Sequence, residues 1–369
     1  MKARIALVHD WLTGMRGGEK VLEALCERFP DAELFTLLHR RGQVSPTIER
    51  RPIHVSPLQH LPQVHRYYRY CLPLFPWAIE QLDLDGFDFV LSVSHCAAKS
   101  VIRPPSARHL CYCLTPMRYA WDQYDAYFNQ ARVGALRAHL AAPVMRHLAR
   151  WDLATAGRPD RYVAISHYVA SRIRRYYNRQ ASVVYPPVDT DFFCPDGSPS
   201  EGFALVVSAL VPYKRIELAV DACERARVPL LIVGDGPERR TLERGASERT
   251  RFLGRVSDDR VRDLYRRASL VILPGEEDFG IVPLEAQACG VPVVALGRGG
   301  ARETVIDGDT GELVDEPVPE LFAQAIARVR ARSFDRVAIR QHAERFGRVR
   351  FADQMQALVH DTLSSGPES

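Results

Sequence analysis

The stretch "RIALVHDWLTGMRGGEKVLEALCERF" (residues 4–29) decides the class of the fold. It opens with a short, nearly continuous apolar run, the signature of a strand buried on both faces. A glycine-rich turn follows, and then Val21, Leu22, Leu25 and Phe29 recur at helical spacing. Strand, glycine loop and helix in that order begin a parallel α/β unit. The same grammar predicts buried strands at 87–94, 107–114 and 161–166, then a helix at 168–177 with Ser166 as its N-cap. Between 183 and 202 ("VVYPPVDTDFFCPDGSPSEG") proline, glycine and serine cluster, and the pattern restarts with strands at 203–210, 228–234, 250–254, 268–275 and 291–296. The expectation is α/β with two doubly wound parallel sheets, 1–185 and 186–345. A C-terminal helix and tail, 346–369, should pack back on the first domain. Set face to face, such sheets form one cleft beyond the carboxyl ends of their strands, where ligands of open α/β sheets bind.

Composition agrees. A chain of 369 residues with 46% hydrophobic and 25% charged residues is globular and long enough for two cores. The net charge is only +4, yet residues 131–180 hold ten arginines against Asp152 and Asp160. A basic surface points to phosphates, on anionic lipid, on a pyrophosphate-bearing acceptor or on nucleic acid. "HRYYRYCLPLFPW" (65–77) interleaves basic and aromatic residues and adds a surface suited to a membrane interface. No nucleic-acid motif accompanies it. The eight cysteines lack zinc-ligand spacing and read as buried thiols of a reducing compartment, with no metal site. The N-terminal apolar run ends at His9 and Asp10, too short for a signal peptide, and no run approaches the ~18 residues that span a bilayer. The expected location is cytoplasmic, with at most a peripheral contact with anionic membrane at its inner face.

Two stretches carry the chemistry. "EDFGIVPLE" (277–285) places two carboxylates eight positions apart, Glu277 on the loop leaving a strand and Glu285 on the helix that follows. Gly280 lets the helix start approach a ligand, with the amides of Phe279, Gly280 and Ile281 as donors. Each carboxylate can grip a vicinal diol, one on a sugar and one on a ribose, so the spacing suits a sugar nucleotide. "VSALVPYKR" (207–215) delivers Lys214 and Arg215 beyond Ser208, two cations suited to a diphosphate whose charge grows as it departs. "GDGPERR" (234–240) contributes Gly234. Neither it nor "GMRGGEK" (14–20) completes G-x-G-x-x-G, which disfavours a nicotinamide or flavin enzyme, although Gly17 and Gly18 still admit an anion at a helix start.

"EDFGIVPLE" resembles the E-x7-E signature of glycosyltransferase family 4, and "GMRGGEKVL", "VVYPPVDTDFF", "VPYKR", "LLIVGDGPE" and "GGARETVIDGDTGELV" (299–314) follow in that family's order. "HLCYCLTPMRYAWD" (109–122) and "YVAISHYVASRI" (162–173) look like its branch that builds bacterial O-antigen, capsule or exopolysaccharide, often from GDP-mannose. The resemblance implies a GT-B fold and retaining, metal-independent transfer from a nucleotide sugar, with no cofactor, onto a saccharide or polyprenyl-diphosphate-linked acceptor. Glu277 would hold the donor sugar and Glu285 the ribose. Lys214 and Arg215 would neutralise the leaving diphosphate, and Gly17 and Gly18 would lie over the phosphates. Attack would come from the front side, with the leaving phosphate helping to take the acceptor proton. Two positions depart from the pattern: Ala209 stands where relatives carry Arg, and Leu114 where many carry His. His95, Arg118 and Tyr119 are candidate acceptor contacts. Three alternatives stay open: a UDP-sugar donor, a non-catalytic nucleotide-sugar-binding subunit, and a nucleotide-sugar epimerase. The last requires acid and base residues from both halves, and no paired Asp/Glu/His set is evident in the first.

Overall fold

The computed structural model describes residues 3–121 and 135–364, with side chains except at 119, 120 and 135–142. The chain forms two compact units, Met1–Pro187 with Phe351–Ser369, and Val188–Arg350. The first holds a seven-stranded sheet of β1 (Ile5–His9), β2 (Glu33–Thr36), β3 (Ile53–Val55), β4 (Phe89–Ser94), β5 (Arg108–Cys113), β6 (Arg161–Ala164) and β7 (Ala181–Val183). The second holds a six-stranded sheet of β8 (Ala204–Val207), β9 (Leu230–Val233), β10 (Thr250–Gly254), β11 (Leu270–Leu273), β12 (Val293–Leu296) and β13 (Gly311–Val314). The strand orders are 3-2-1-4-5-6-7 and 10-9-8-11-12-13, parallel throughout. This is the doubly wound α/β architecture that the apolar runs implied. β4 and β11 are buried at every residue, as strands covered by helices on both faces must be.

Four strands, β2, β3, β7 and β13, leave no such signal. Each is three or four residues long, and only β2 lies inside a sheet rather than at an edge. In each sheet the order reverses once, between β1 and β4 and between β8 and β11. In open α/β sheets such reversals are where ligands bind, outside the carboxyl ends of the strands.

The helix Arg348–Ser364 completes the first unit from the far end of the chain. Phe351, Met355 and Val359 are buried, and the Phe351 ring meets Tyr112 edge-on with centroids 5.5 Å apart. Arg28 to Asp353 (2.8 Å) and Arg161 to Asp361 (2.5 Å) pair along its exposed flank.

The arginine-rich stretch is less of a free basic surface than its charge suggests. Arg158 pairs with Glu80 and Arg161 with Asp361. Arg172 is buried and donates to Thr115, and Arg179 donates to the carbonyls of Pro159 and Asp160. Arg132 and Arg137 lie outside the described side chains. Exposure is left to Arg146, Arg150, Arg174 and Arg175 among the described residues. All eight cysteines are free thiols, seven of them buried. Among the described residues no helix is long and apolar enough to cross a membrane.

Candidate functional site

At the second switch point, the loops after β8 and β11 meet. β8 ends at Val207, and the Ser208 hydroxyl turns back on the Ala209 carbonyl at 3.1 Å. Gly234, just past β9, sits so close to Ser208 that a Cβ there would lie 1.8 Å from its carbonyl oxygen. The chain then makes one 3-10 turn, Pro212–Lys214, and Arg215 takes a left-handed conformation (φ 53°) before the helix Ile216–Ala226. The two cations part there. Lys214 Nζ pairs with Glu277 Oε1, both side chains largely buried. Arg215 turns to its exposed neighbour Glu217 at 2.6 Å.

The backbone around this ion pair is held by glycines. A Cβ on Gly275 would meet the Tyr213 carbonyl and Lys214 Cα at 2.7 and 2.8 Å. Glu277 bridges to Gly299, and its carbonyl accepts from the Gly300 amide at 2.8 Å. A Cβ on Gly300 would lie 2.3 Å from Phe279 Cα and 2.5 Å from its carbonyl oxygen, so the loop at 277–280 can run there only past a bare backbone. Gly300→Ala is therefore expected to cost about 1–3 kcal/mol of overpacking strain and to displace Glu277. Thermal melts of the variant read the first effect, and a crystal structure of it reads the second.

Gly280 then caps the helix Ile281–Ala288 with φ 91°, a conformation that glycine adopts without Cβ strain. Phe279 is buried against Phe346, with ring centroids 5.9 Å apart, and Ile281 opens the first helical turn half-buried. Glu285 is 6% exposed and accepts from the Tyr265 hydroxyl at 3.1 Å. Burial, with the Glu285 charge beside it, raises the Tyr265 pKa well above its usual value, so the phenol stays a donor. No motif in the sequence marks Tyr265. It sits on the last turn of an ordinary amphipathic helix, Asp258–Arg267, and only the fold brings it to Glu285.

The first switch point holds a set that no spacing in the sequence betrays, and its presence corrects the expectation that the first half lacks one. Asp10 follows β1 and is fully buried. Its carboxylate accepts the backbone amides of His95, Cys96, Ala97 and Ala98 at 2.6–3.0 Å, at the loop leaving β4. His95 Nδ1 lies 2.9 Å from the same carboxylate, and its ring stands edge-on to Trp11. His9 is buried with Nδ1 3.1 Å from the Val93 carbonyl oxygen and Nε2 3.9 Å from buried Glu19. Of these four side chains only His95 reaches solvent, at 28% exposure.

The charges settle accordingly. Burial alone would push Asp10 up, but His95 and His9 hold its carboxyl well below the usual carboxylate range. Burial alone would push His95 down, but Asp10 outweighs it and raises the imidazole pKa. Glu19 follows Asp10 downward, its burial offset by His9.

Gly17 and Gly18 open the helix Gly17–Arg28 beside this set. Gly17 has room for a side chain, whereas a Cβ on Gly18 would meet Leu114 Cδ1 at 2.9 Å and His9 Cε1 at 3.4 Å. Arg118 begins the turn Arg118–Trp121. The Tyr119 side chain lies outside the described residues. Among the described residues no group of three or more His, Cys, Asp or Glu is placed to hold a metal ion.

Residues 194–346 match the family model "Glycosyl transferases group 1". The GDP-mannose-dependent alpha-(1-6)-phosphatidylinositol monomannoside mannosyltransferase of Mycolicibacterium smegmatis is 34% identical over 215 residues, 50% of this chain and 56% of that one. The D-inositol 3-phosphate glycosyltransferase of Acidothermus cellulolyticus is 27% identical over 357 residues, 84% of this chain and 76% of that one. The chain spans about half the length of the first three curated relatives it matches, 48, 56 and 54%. Among solved structures, Anabaena Alr3699/HepE in complex with UDP and glucose superposes with a TM-score of 0.70 at 19% identity, covering 97% of this chain and 99% of that one. The sucrose-phosphate synthase of Thermosynechococcus elongatus gives 0.71 at 20% identity, covering 99% and 100%. The chain thus has the α/β GT-B fold, and residues 194–346 of its second unit match the glycosyl transferases group 1 model.

Proposed function

We propose that the protein is a retaining, metal-independent glycosyltransferase of family 4 that moves mannose from GDP-mannose onto a saccharide or polyprenyl-diphosphate-linked acceptor in polysaccharide or glycolipid assembly. The observation that carries the reading is the Lys214–Glu277 pair at the β8/β11 switch point, inside the segment that matches the family model. In this reading Glu277 grips hydroxyls of the donor sugar. Glu285, steadied by Tyr265, takes the ribose. Lys214 neutralises the departing diphosphate, with Arg215 available once it leaves Glu217. Placing cationic and carboxylate groups before the charge develops is the largest single contribution to catalysis of this type. The mannosyltransferase relative favours GDP-mannose as donor, and the UDP-bound neighbour keeps a UDP-sugar as the alternative.

Thermal melts against GDP-, UDP- and ADP-sugars test the donor. A donor at about 100 times its Kd stabilises the native state by about 2.7 kcal/mol, and GDP-mannose should give the largest shift. If UDP-glucose shifts the midpoint and GDP-mannose does not, the mannose assignment falls.

The Asp10–His95 set favours a second reading, a nucleotide-sugar epimerase, because it supplies the first half with acid and base groups. Incubating the donor alone separates the two. A transferase leaves the donor's stereochemistry intact until an acceptor is added, and an epimerase does not.

A further inference from the structure

The segment 61–80 folds as a broken helical ridge, Val64–Tyr67, Tyr68–Leu74 and Phe75–Glu80, with one face committed to the core. Val64, Tyr68, Cys71, Phe75, Ala78 and Ile79 are buried in a single cluster of the first unit. Their spacing of three and four leaves a second stripe pointing away from that core. It consists of Arg66, Tyr70, Leu74 and Trp77, all exposed. Tyr70 is 86% exposed, Trp77 51% and Leu74 47%, with Leu61 at 38% just before the ridge. Large apolar side chains left in water at this density mark a surface with a partner.

The charge around the stripe says which partner. The ridge 61–80 carries Arg66 and Arg69 and a single acid, Glu80 at its end, which is paired with Arg158. Arg66 and Arg69 are exposed on the ridge itself. The helix Ala135–Ala154, whose Met145 and Leu148 share the same core cluster, adds exposed Arg146 and Arg150. Tyr and Trp favour the headgroup level of a bilayer, where an apolar ring and a polar edge are both satisfied, and arginines beside them attract an anionic leaflet.

We infer that the ridge 61–77 is a membrane-docking surface, seating Tyr70, Leu74 and Trp77 in the headgroup region of an anionic bilayer with Arg66 and Arg69 on its phosphates. The inference rests on the lipid-linked acceptor proposed above for its purpose, but not for its test, because vesicle binding is read without turnover. A second copy of the chain on the same stripe would lack the charge match, since the ridge would then face its own arginines.

The experiment is sedimentation of the full chain with vesicles of phosphatidylcholine, with and without phosphatidylglycerol, at low and high salt. Binding to the phosphatidylglycerol vesicles is expected, lost with phosphatidylcholine alone and weakened by salt. A Tyr70→Ala/Trp77→Ala variant and an Arg66→Gln/Arg69→Gln variant should each bind about tenfold more weakly or worse. Trp77 fluorescence should shift to the blue on binding. Both variants alter exposed positions, and unchanged circular dichroism and donor affinity establish that they are folded. Undiminished vesicle binding by either variant, no binding to the anionic vesicles, or a concentration-dependent dimer abolished by Tyr70→Ala/Trp77→Ala would overturn the assignment.

Discussion

Lys214→Ala is expected to lower turnover of the nucleotide sugar by ~10²–10³-fold, and Glu277→Ala by a similar factor, as deleting one preorganised transition-state contact does. The two side chains are in direct contact and mostly withdrawn from water, Lys214 17% and Glu277 13% exposed. Each therefore loses a partner when the other is removed, and the effects should not add. The double variant is expected to be scarcely worse than either single one, the pattern of groups that work as a unit. Lys214→Arg should not restore the rate. A planar guanidinium cannot occupy the place of a compact ammonium beside Glu277 without moving a backbone that Gly275 already crowds. Initial rates of sugar transfer or release from whichever nucleotide sugar gives the largest melting shift are the measurement. Turnover within about threefold of the unaltered protein for both single variants would remove Lys214 and Glu277 from the chemistry. Arg215→Ala should cost much less, because its side chain is engaged with Glu217 at the surface.

Asp10→Asn carries the second large effect, on stability. One carboxylate collects four backbone amides and the His95 ring, all inside the first unit. Asparagine keeps one acceptor oxygen and turns an NH2 group toward amides that are themselves donors. The expected loss is about 3 kcal/mol, in the range for breaking a buried, hydrogen-bonded charge. At roughly 2–4 °C per kcal/mol, the first unit should melt some 6–12 °C lower. The pH dependence follows from the direction of each shift. Asp10 has its pKa lowered on folding, so its contribution is fully present above the ordinary carboxylate pKa and is lost as pH falls below it. His95 has its pKa raised, so its contribution is present below the ordinary imidazole pKa and is lost as pH climbs past it. Stability of the first unit should thus peak between the two and fall on both sides, and Asp10→Asn should flatten both limbs. Melts from pH 2 to pH 9, which reach below the ordinary carboxylate pKa, decide it. An unaltered profile in the variant would mean that the amides, not the charges, hold the loop.

What could be read beforehand divides along a physical line. β1, β4, β5, β8, β9, β11 and β12 are buried on both faces, so their apolar runs announce them from one-dimensional sequence. β7 and β13 are short edge strands whose residues are mostly half-buried, and their pairing is a consequence of neighbours rather than of their own composition. At the second switch point, Lys214 and Glu277 stand in local motifs of glycine, proline and charge, and they are legible as a pattern. Tyr265 and Gly300 are not, since each acts on a residue 20 or 21 positions away through the packing of two separate segments. Asp10 and His95 lie 85 residues apart and meet only because β1 and β4 are neighbours in the sheet. A one-dimensional pattern shows local geometry, and their encounter is a property of strand order.

The helix Arg348–Ser364 has a further consequence, for the order in which the protein is made. Phe351, Met355 and Val359 belong to the core of the first unit, yet they leave the ribosome after all of residues 188–350. The later-synthesised unit is contiguous and can close as soon as it emerges, whereas the earlier one waits with the face of Tyr112 that Phe351 covers still bare. During translation the half that begins first is therefore the half that finishes last, and it is the one a chaperone would need to shield.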